Sequence, residues 1–177
     1  MPTEVVVLNG GSSAGKSTIA SCLQTLLEDT WLILGVDDLI DAMGGEGKAR
    51  SAIVVNVDGT VVIDQRFRKA EESWYQGLSA IARAGTGLVI VEAFLDGASS
   101  QTRLCTALAG LEVLWVGVHC DADVASMREL ARPDRVHGMA KTQSTLVHEG
   151  VHYDIEVDTT SEGSDDCART IRASMVQ

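Results

Sequence analysis

The ten residues 8–17 read LNGGSSAGKS, and from Gly10 to Ser17 they match the pattern G-x-x-x-x-G-K-[ST] in full. The preceding run EVVVL, residues 4–8, is apolar and β-branched, as expected for a buried strand. Residues 16–28 have the pattern of a helix. Because a strand, a glycine-rich turn and a helix occur in this order, the segment predicts a phosphate-binding loop and therefore an ATP- or GTP-binding α/β protein.

Each residue type in this loop has a physical task. Glycines let the backbone curl so that successive N–H groups cradle a phosphate, and the helix that follows adds the positive end of its dipole. Lys16 can reach the β- and γ-phosphates, and Ser17 can bind Mg²⁺ through its hydroxyl group. With ATP and Mg²⁺ as the expected ligands, the predicted nucleotide-binding residues of the loop are Gly10, Gly11, Ser12, Ser13, Ala14, Gly15, Lys16, Ser17 and Thr18.

The composition limits the class of protein and its partners. A chain of 177 residues with 45% hydrophobic and 22% charged residues is typical of one globular domain, predicted here over residues 1–177. The net charge of −11 argues against nucleic acid and anionic lipid as partners. No apolar stretch approaches the roughly 20 residues of a membrane span, and the N-terminus has no basic region of a signal peptide. We expect a cytoplasmic protein and leave open whether it forms a homo-oligomer.

Five apolar runs alternate along the chain with amphipathic segments. Strands that are apolar on both faces and separated by helices predict a parallel sheet covered on both sides, and right-handed crossovers then give a three-layer α/β fold. We predict strands at residues 4–8, 31–36, 88–91, 112–119 and 153–157, and helices at residues 16–28, 38–43, 67–83, 99–109, 123–131, 139–148 and 164–175.

Residues 53–64, IVVNVDGTVVID, interrupt this plan. Two alternating runs flank the pair Asp58-Gly59, which is typical of tight β-hairpin turns. We therefore expect a small hairpin beside the sheet, packed on the side where the substrate binds.

Asp37 follows the second predicted strand, in the segment GVDD. Ligands of parallel α/β sheets bind outside the carboxyl ends of the strands, so Asp37 is expected to lie beside the phosphate loop and face the γ-phosphate. A carboxylate there can accept the proton of an acceptor hydroxyl group during in-line transfer. The alternative is that Asp37 only caps the following short helix, a role that we assign to Asp38.

Three arginines fall within eight positions of the segment MRELARPDR, residues 127–135. Arg132 and Arg135 are expected to lie on a lid, about residues 128–148, and to neutralise charge in the transition state. Arg128 is expected near the nucleotide, where it could stack on the base. The alternative is a solvated helix end, with Glu129 and Asp134 as ion-pair partners.

Other candidate site residues follow two further strands. Glu92 comes directly after the third strand, where it could bind Mg²⁺, hydrogen-bond to the substrate or form a structural ion pair. Phe94 and Trp74 are the aromatic residues with the best prospect of contacting an apolar acceptor. Thr160, which follows the last strand, is expected near the nucleotide.

Residues 147–154, VHEGVHYD, indicate a different enzyme at first sight, because His148, Glu149 and His152 match the zinc-protease pattern H-E-x-x-H. That chemistry requires both histidines on one helical face. Gly150 would lie inside this helix, and the segment YDIEV that follows alternates like a strand. We therefore interpret Gly150 as a helix stop and the segment as the turn into the last strand.

Together, the stretches LNGGSSAGKS, WLILGVDDLIDAM, LWVGVHCDADVASMRELARPDRVHGMA and VHEGVHYDIEVDTT resemble those of the chloramphenicol 3-O-phosphotransferases, in order and over nearly the whole chain. The resemblance implies a P-loop kinase, related to nucleotide and shikimate kinases, that transfers the γ-phosphate of ATP to a primary hydroxyl group of the antibiotic. It also implies that Asp37 is the catalytic base, that Lys16 and Ser17 serve the nucleotide, and that Arg132 and Arg135 are lid arginines.

Two departures concern the acceptor. The family has an I-I-D-D-V-F-like strand end where this chain reads VIVEAF, with Val91 at the first acidic position, and residues 43–63 resemble the family least. Chloramphenicol is therefore the first candidate acceptor, and another antibiotic or a biosynthetic alcohol is the second. A non-catalytic nucleotide-binding regulator is a third alternative. A GTPase is disfavoured because the guanine-specifying pattern N-K-x-D does not occur.

Overall fold

The computed structural model describes residues 2–44, 52–55, 61–131 and 138–176. Its central sheet has five parallel strands in the order β2-β5-β1-β6-β7, as the strand and helix pattern predicts. A separate antiparallel pair, β3-β4, forms the predicted hairpin. The strands are β1 Val5–Asn9, β2 Trp31–Gly35, β3 Ile53–Val55, β4 Val61–Ile63, β5 Gly87–Glu92, β6 Val113–His119 and β7 Ile155–Asp158.

Helices cover both faces of the sheet, which gives three layers. The helices are α1 Lys16–Leu26, α2 Val36–Ala42, α3 Gln65–Arg83, α4 Ala98–Ala107, α5 Ala122–Leu130, α6 Met139–Leu146 and α7 Ser164–Ser174. None of the helices in the described residues is long and apolar enough to cross a membrane.

The run VVVL of β1 is apolar throughout because successive side chains of a strand point to opposite faces and both faces are buried. Val6 and Leu8 pack in one core cluster with side chains of α1 and α7. Val5 and Val7 pack in a second cluster with side chains of α3 and α4. The central strand therefore holds the phosphate loop rigidly at its carboxyl end.

The hairpin packs beside the sheet rather than in it. Leu39 of α2 and Phe67 of α3 are buried together, and Ile53 and Ile63 of the hairpin pack against them. The hairpin thus closes the space beyond the carboxyl ends of β2 and β5. Its predicted turn, Asp58-Gly59, lies outside the described residues.

The second strand ends earlier than the sequence predicts. It stops at Gly35, and helix α2 begins at Val36, so Asp37 lies in the first turn of a helix and not at the end of a strand. The carboxylate of Asp38 accepts a hydrogen bond from the backbone N–H of Gly35 at 2.7 Å. Gly35 therefore occupies the N-cap position, and Asp38 stabilises the start of α2 from its third residue instead of being the N-cap residue that the sequence predicts.

Candidate active site

A cavity of about 590 Å³ lies at the carboxyl edge of the sheet. One side is formed by the phosphate loop and the start of α1, and the other by α2, by Ile53 of the hairpin and by the residues that follow β5. Residues of α5 and α6 line it as well, among them Arg128 and Gln143. Lys16 and Asp37 both reach the wall of this one cavity.

The phosphate loop has the geometry of an anion site. Ser13 and Gly15 adopt left-handed backbone conformations, with φ values of 59° and 89°, which turn successive N–H groups to the inside of the loop. The side-chain hydroxyl groups of Ser12 and Ser13 are buried without a hydrogen-bond partner among the described residues. A buried hydroxyl group without a partner is costly, so the loop fits a ligand rich in acceptor oxygens, such as a phosphate.

Lys16 folds back over the loop in this structure. Its ammonium group donates hydrogen bonds to the backbone oxygens of Gly10 and Gly11, both at 2.7 Å. These hydrogen bonds hold the ammonium group above the turn, where it can form an ion pair with a phosphate bound in the loop.

Thr159, after β7, supports the loop from the sheet side. Its hydroxyl group donates to the backbone oxygen of Ala14 at 2.9 Å, and the residue is buried. Arg128 of α5 donates from Nη2 to the backbone oxygen of Thr159 at 2.7 Å and from Nη1 to its hydroxyl oxygen at 3.1 Å. These contacts fix the guanidinium group at the cavity wall.

Glu92 is buried behind the wall, with 3% of its surface exposed. Burial, followed by the negative charge of Glu71, raises the pKa of Glu92 to about 8, and the positive charge of Lys16 opposes this shift. Asp37 adds a further upward influence on the pKa of Glu92, which shows that the two carboxyl groups are close enough to interact. At neutral pH the Glu92 side chain is therefore mainly a neutral acid in the ligand-free protein.

The acceptor side of the cavity is mostly apolar. The apolar residues on this wall are Val36, Ile40, Ile53, Ala93 and Leu95. Asp37 and Asp38 supply its charged groups, whereas the basic residues among the described lining, Lys16 and Arg128, belong to the phosphate loop and to α5. This half of the site can bind an apolar body and a hydroxyl group beside Asp37.

Comparison with known proteins agrees with this geometry. The family model described as chloramphenicol phosphotransferase-like protein matches residues 3–176. The chain belongs to the chloramphenicol phosphotransferase-like family. It is 28% identical to a Mycobacterium tuberculosis protein named "Putative O-phosphotransferase", over 97% of this chain and 81% of that protein.

Three solved structures show the P-loop kinase fold of this family member, each at 18% identity. A sugar kinase from Janibacter sp. has a TM-score of 0.69, with 97% of this chain and 94% of that chain covered. Shikimate kinase from Acinetobacter baumannii has a TM-score of 0.61, with 97% and 91% covered. The tunicamycin resistance protein of Deinococcus radiodurans has a TM-score of 0.67, with 99% of both chains covered.

Several residues predicted for the site lie elsewhere in this phosphotransferase-like protein. Phe94 is fully buried and packs against Trp115, with ring centroids 6.4 Å apart. Trp74 packs between two core clusters. Neither Phe94 nor Trp74 lies on the cavity wall of this structure, so the geometry lends no support to the acceptor contacts predicted for them. Both residues belong to apolar sequence patterns that are equally consistent with burial in the core.

Thr160 is also off the cavity wall, since it is exposed and its hydroxyl group accepts a hydrogen bond from the backbone N–H of Asp121 at 2.8 Å. Its neighbour Thr159 contacts the loop instead. Arg132 and Arg135, the predicted lid arginines, lie outside the described residues.

The zinc-protease pattern does not form a metal site in this structure. His148 Nδ1 is 2.6 Å from the hydroxyl oxygen of Tyr153, and its ring stacks on His119 with centroids 4.1 Å apart. His152 is exposed, and its backbone pairs with the side chain of Gln101. The described part of the chain contains no group of three or more His, Cys, Asp or Glu side chains suited to a metal ion.

Sequence reasoning missed Gln143, which contacts the loop, and Asn9, which joins the end of β1 to the segment after α6. The carboxamide oxygen of Gln143 accepts a hydrogen bond from the backbone N–H of Ser12 at 2.8 Å. Asn9 Nδ2 donates to the backbone oxygen of Val147 at 2.8 Å and to the Tyr153 hydroxyl oxygen at 2.6 Å. Asn9 could have been recognised from the sequence, because it is a polar residue that ends a buried strand directly before the loop. No sequence pattern marks Gln143, because its contact with the loop depends on how α6 packs.

Proposed function

We propose that this protein is an ATP-dependent phosphotransferase that moves the γ-phosphoryl group to a hydroxyl group of a small, neutral natural product. Chloramphenicol is the first candidate acceptor. The observation that carries the proposal is that Lys16 and Asp37 open into one cavity of about 590 Å³. One half of that cavity is a phosphate loop and the other half is apolar.

The nucleotide is assigned to the phosphate-loop half. The unpaired hydroxyl groups of Ser12 and Ser13 and the inward N–H groups suit the phosphates. Arg128, held by Thr159 at the cavity wall, is assigned to the base side. Ser17 would ligate Mg²⁺, which supplies neutralisation of phosphate charge when it is bound.

The chemical step is assigned to Asp37 and Lys16. The acceptor oxygen forms a bond to the γ-phosphorus while the bond to the β-phosphate oxygen breaks, and Asp37 accepts the hydroxyl proton. Lys16 leaves the backbone oxygens of Gly10 and Gly11 and stabilises the negative charge of the transferred group. Arg132 and Arg135, the predicted lid arginines, would add further positive charge during the transfer.

The apolar wall supports a neutral acceptor. A carboxylate or phosphate in the substrate is usually held by arginine or lysine side chains, and among the described residues the acceptor wall provides acidic and apolar groups only. Acids such as shikimate and gluconate are therefore disfavoured. The name of the similar tunicamycin resistance protein is in line with an antibiotic as acceptor.

A sibling kinase with another alcohol as acceptor is the second candidate. Ile53 of the hairpin lies on the cavity wall, and it belongs to the region, residues 43–63, that resembles the family least. Because a side chain from this region lines the part of the cavity assigned to the acceptor, a sequence change there would change which alcohol is phosphorylated and leave the transfer chemistry intact.

The test is direct. The protein is incubated with ATP, Mg²⁺ and, separately, chloramphenicol, other hydroxylated antibiotics, shikimate and gluconate, and each product is analysed by mass spectrometry for the gain of one phosphate. Gain on chloramphenicol supports the first candidate, and gain on another neutral alcohol supports the second. Gain on the acids alone would reject the neutral-acceptor proposal.

A further inference from the structure

The hydrogen bond between Gln143 and Ser12 lies where a phosphate is expected. Gln143 is only 3% exposed, and its Oε1 atom accepts from the Ser12 N–H inside the phosphate loop. The N–H groups of such a loop bind the phosphates of the nucleotide. A side chain from α6 is therefore already in contact with the phosphate-binding backbone before any ligand is present.

The donor fixes which way the carboxamide group points. In a carboxamide group the oxygen accepts and the NH₂ group donates, so Oε1 faces the Ser12 N–H and the Nε2 amino group points away from it. Within the described residues Nε2 has no hydrogen-bond partner, and it is not among their buried unpaired polar atoms. Since Gln143 lies on the cavity wall with Lys16 and Asp37, we infer that Nε2 faces the cavity.

The backbone of α6 is held firmly enough to keep this amide in place. A Cβ atom on Gly11 would lie 3.1 Å from the carbonyl carbon of Gln143 and 3.2 Å from the backbone nitrogen of Ser144, so α6 packs directly on the loop. One turn further on, just after the carboxyl end of α6, Asn9 donates to the backbone oxygen of Val147. The Gln143 side chain therefore loses little conformational freedom when a ligand binds, and its amide group is a preorganised donor.

We propose that Gln143 is a catalytic residue that binds the transferred phosphoryl group. Oε1 continues to accept the hydrogen bond from the Ser12 N–H, and the Nε2 amino group donates a hydrogen bond to an oxygen of the γ-phosphoryl group. Charge spreads over the three equatorial oxygens during transfer, so a donor preset beside Lys16 stabilises the transition state. This role rests on the proposed phosphotransferase function for its reaction, but the binding of the γ-phosphate can be measured without an acceptor.

Two variants and a control test the proposal. Gln143→Glu keeps an oxygen for the Ser12 N–H but replaces the donor by a negative oxygen, and Gln143→Ala removes both atoms. Gln76→Glu makes the same charge change on the exposed face of α3, away from the cavity. Calorimetric titration at mildly alkaline pH compares β,γ-imido-ATP with ADP, each with Mg²⁺, after circular dichroism has shown which variants are folded.

We expect Gln143→Glu to weaken the binding of β,γ-imido-ATP by about tenfold or more, the value of a hydrogen bond to a charged group. Binding of ADP, which has no γ-phosphate, should not change, and Gln76→Glu should bind both nucleotides like the wild type. With an acceptor that is phosphorylated, kcat of Gln143→Glu should fall by about a hundredfold. Gln143→Ala, if folded, should also lose affinity for the ATP analogue selectively.

Two results would overturn the proposal. Tighter binding of β,γ-imido-ATP by Gln143→Ala would show that the carboxamide blocks the site. An equal loss for ADP and for the ATP analogue in Gln143→Glu would show that Gln143 only supports the loop. If no acceptor in the panel is phosphorylated, the proposed function fails, whereas a selective loss of the ATP analogue would still establish the contact with the γ-phosphate.

Discussion

Glu129 and Ala140 are joined by a hydrogen bond of 2.8 Å between the carboxylate of the first and the backbone N–H of the second. The other carboxylate oxygen of Glu129 accepts from the N–H of Gly138 at 2.7 Å. Glu129 is buried at the end of α5, and the two N–H groups belong to the start of α6. One side chain therefore fixes both ends of the segment that contains Arg132 and Arg135.

We expect Glu129→Gln to lower the free energy of unfolding by about 1–3 kcal/mol, because the new NH₂ group cannot accept and one buried N–H loses its partner. Urea unfolding measures this effect. Glu72→Gln, the same change at an exposed position of α3, is the control and should be neutral. Equal stability of the two variants would show that the buried carboxylate is dispensable.

Asp37 is expected to carry the proton transfer. Asp37→Asn should lower kcat by about 10²–10⁴-fold, the usual contribution of a general base, and should leave the affinity for ATP unchanged. Asp38→Asn is a matched control one residue away, since an asparagine oxygen can still accept from the Gly35 N–H. Unchanged turnover in Asp37→Asn would remove Asp37 as the base.

The fold could be predicted from the sequence because its signals are local and repeated. Five apolar runs of strand length, each followed by an amphipathic segment, require a covered parallel sheet whatever the loops do. The position of Asp37 was predictable to within one turn, since it depends on the end of β2. The start of α2 at Val36 was not, because it depends on the contact between the Asp38 carboxylate and the Gly35 N–H.

The wall of the cavity was less predictable than the sheet. Phe94 and Trp74 pack against core clusters, although Phe94 stands between two residues of the cavity wall in sequence. Whether an aromatic ring enters a core or a cavity depends on the packing of distant helices. Gln143 lies far along the chain from the loop that it contacts, and no periodicity marks such a pair. The local motif therefore predicted the position of the phosphate loop, whereas tertiary packing determines the rest of the cavity wall.

The stability of the protein should depend on the ionisation of Glu92. The folded state keeps a proton on Glu92 up to about pH 8, whereas an unfolded carboxyl group ionises near 4.5. Unfolding therefore releases a proton in this window, and the free energy of unfolding falls as pH rises, by at most about 1.4 kcal/mol per pH unit.

Glu92→Gln should reduce this slope, measured by urea unfolding at a series of pH values. The effect is clearest between pH 6.5 and about 8, because His148, whose pKa is lowered from 6.5 to about 4, acts in the opposite direction at lower pH. Equal slopes for the variant and the wild type would show that Glu92 is ionised in the folded protein. The same variant tests whether Glu92 binds Mg²⁺, one of the three roles that the sequence allows, since an unchanged dependence of activity on Mg²⁺ would remove Glu92 as a ligand.

The two histidines of VHEGVHYD should differ in their effect on stability. His148→Ala removes one of the two partners of the Tyr153 hydroxyl group, leaving Asn9, and also removes the stacking on His119. We expect the free energy of unfolding to fall by about 1–3 kcal/mol. His152→Ala changes an exposed side chain and should alter stability by less than about 0.5 kcal/mol. Neither zinc nor a chelator should change the unfolding midpoint of the wild type, and a rise with zinc would revive the metal-site interpretation.

The ionisation of His148 also makes the free energy of unfolding depend on pH, in the direction opposite to that of Glu92. Burial, followed by the charge of His119, lowers the pKa of His148 to about 4, so the folded state resists a proton that the unfolded chain takes up near pH 6.5. The stabilising contribution of neutral His148 is therefore lost as pH falls from 6.5 towards 4. His148→Ala should lose less stability over this range than the wild type, whereas His152→Ala should follow the wild type.

Gly11 and Gly77 should respond in opposite directions to the addition of one methyl group. In Gly11→Ala the Cβ atom would lie 3.1–3.2 Å from backbone atoms of Gln143 and Ser144, so either the phosphate loop or α6 has to move. We expect lower stability and weaker binding of ATP, measured by thermal unfolding and calorimetry. In Gly77→Ala the new Cβ meets nothing within 4 Å inside α3, and removing a helical glycine should stabilise the protein by about 0.5–1 kcal/mol. A Gly11→Ala variant that binds ATP normally would show that the close packing of α6 on the loop is not needed for nucleotide binding.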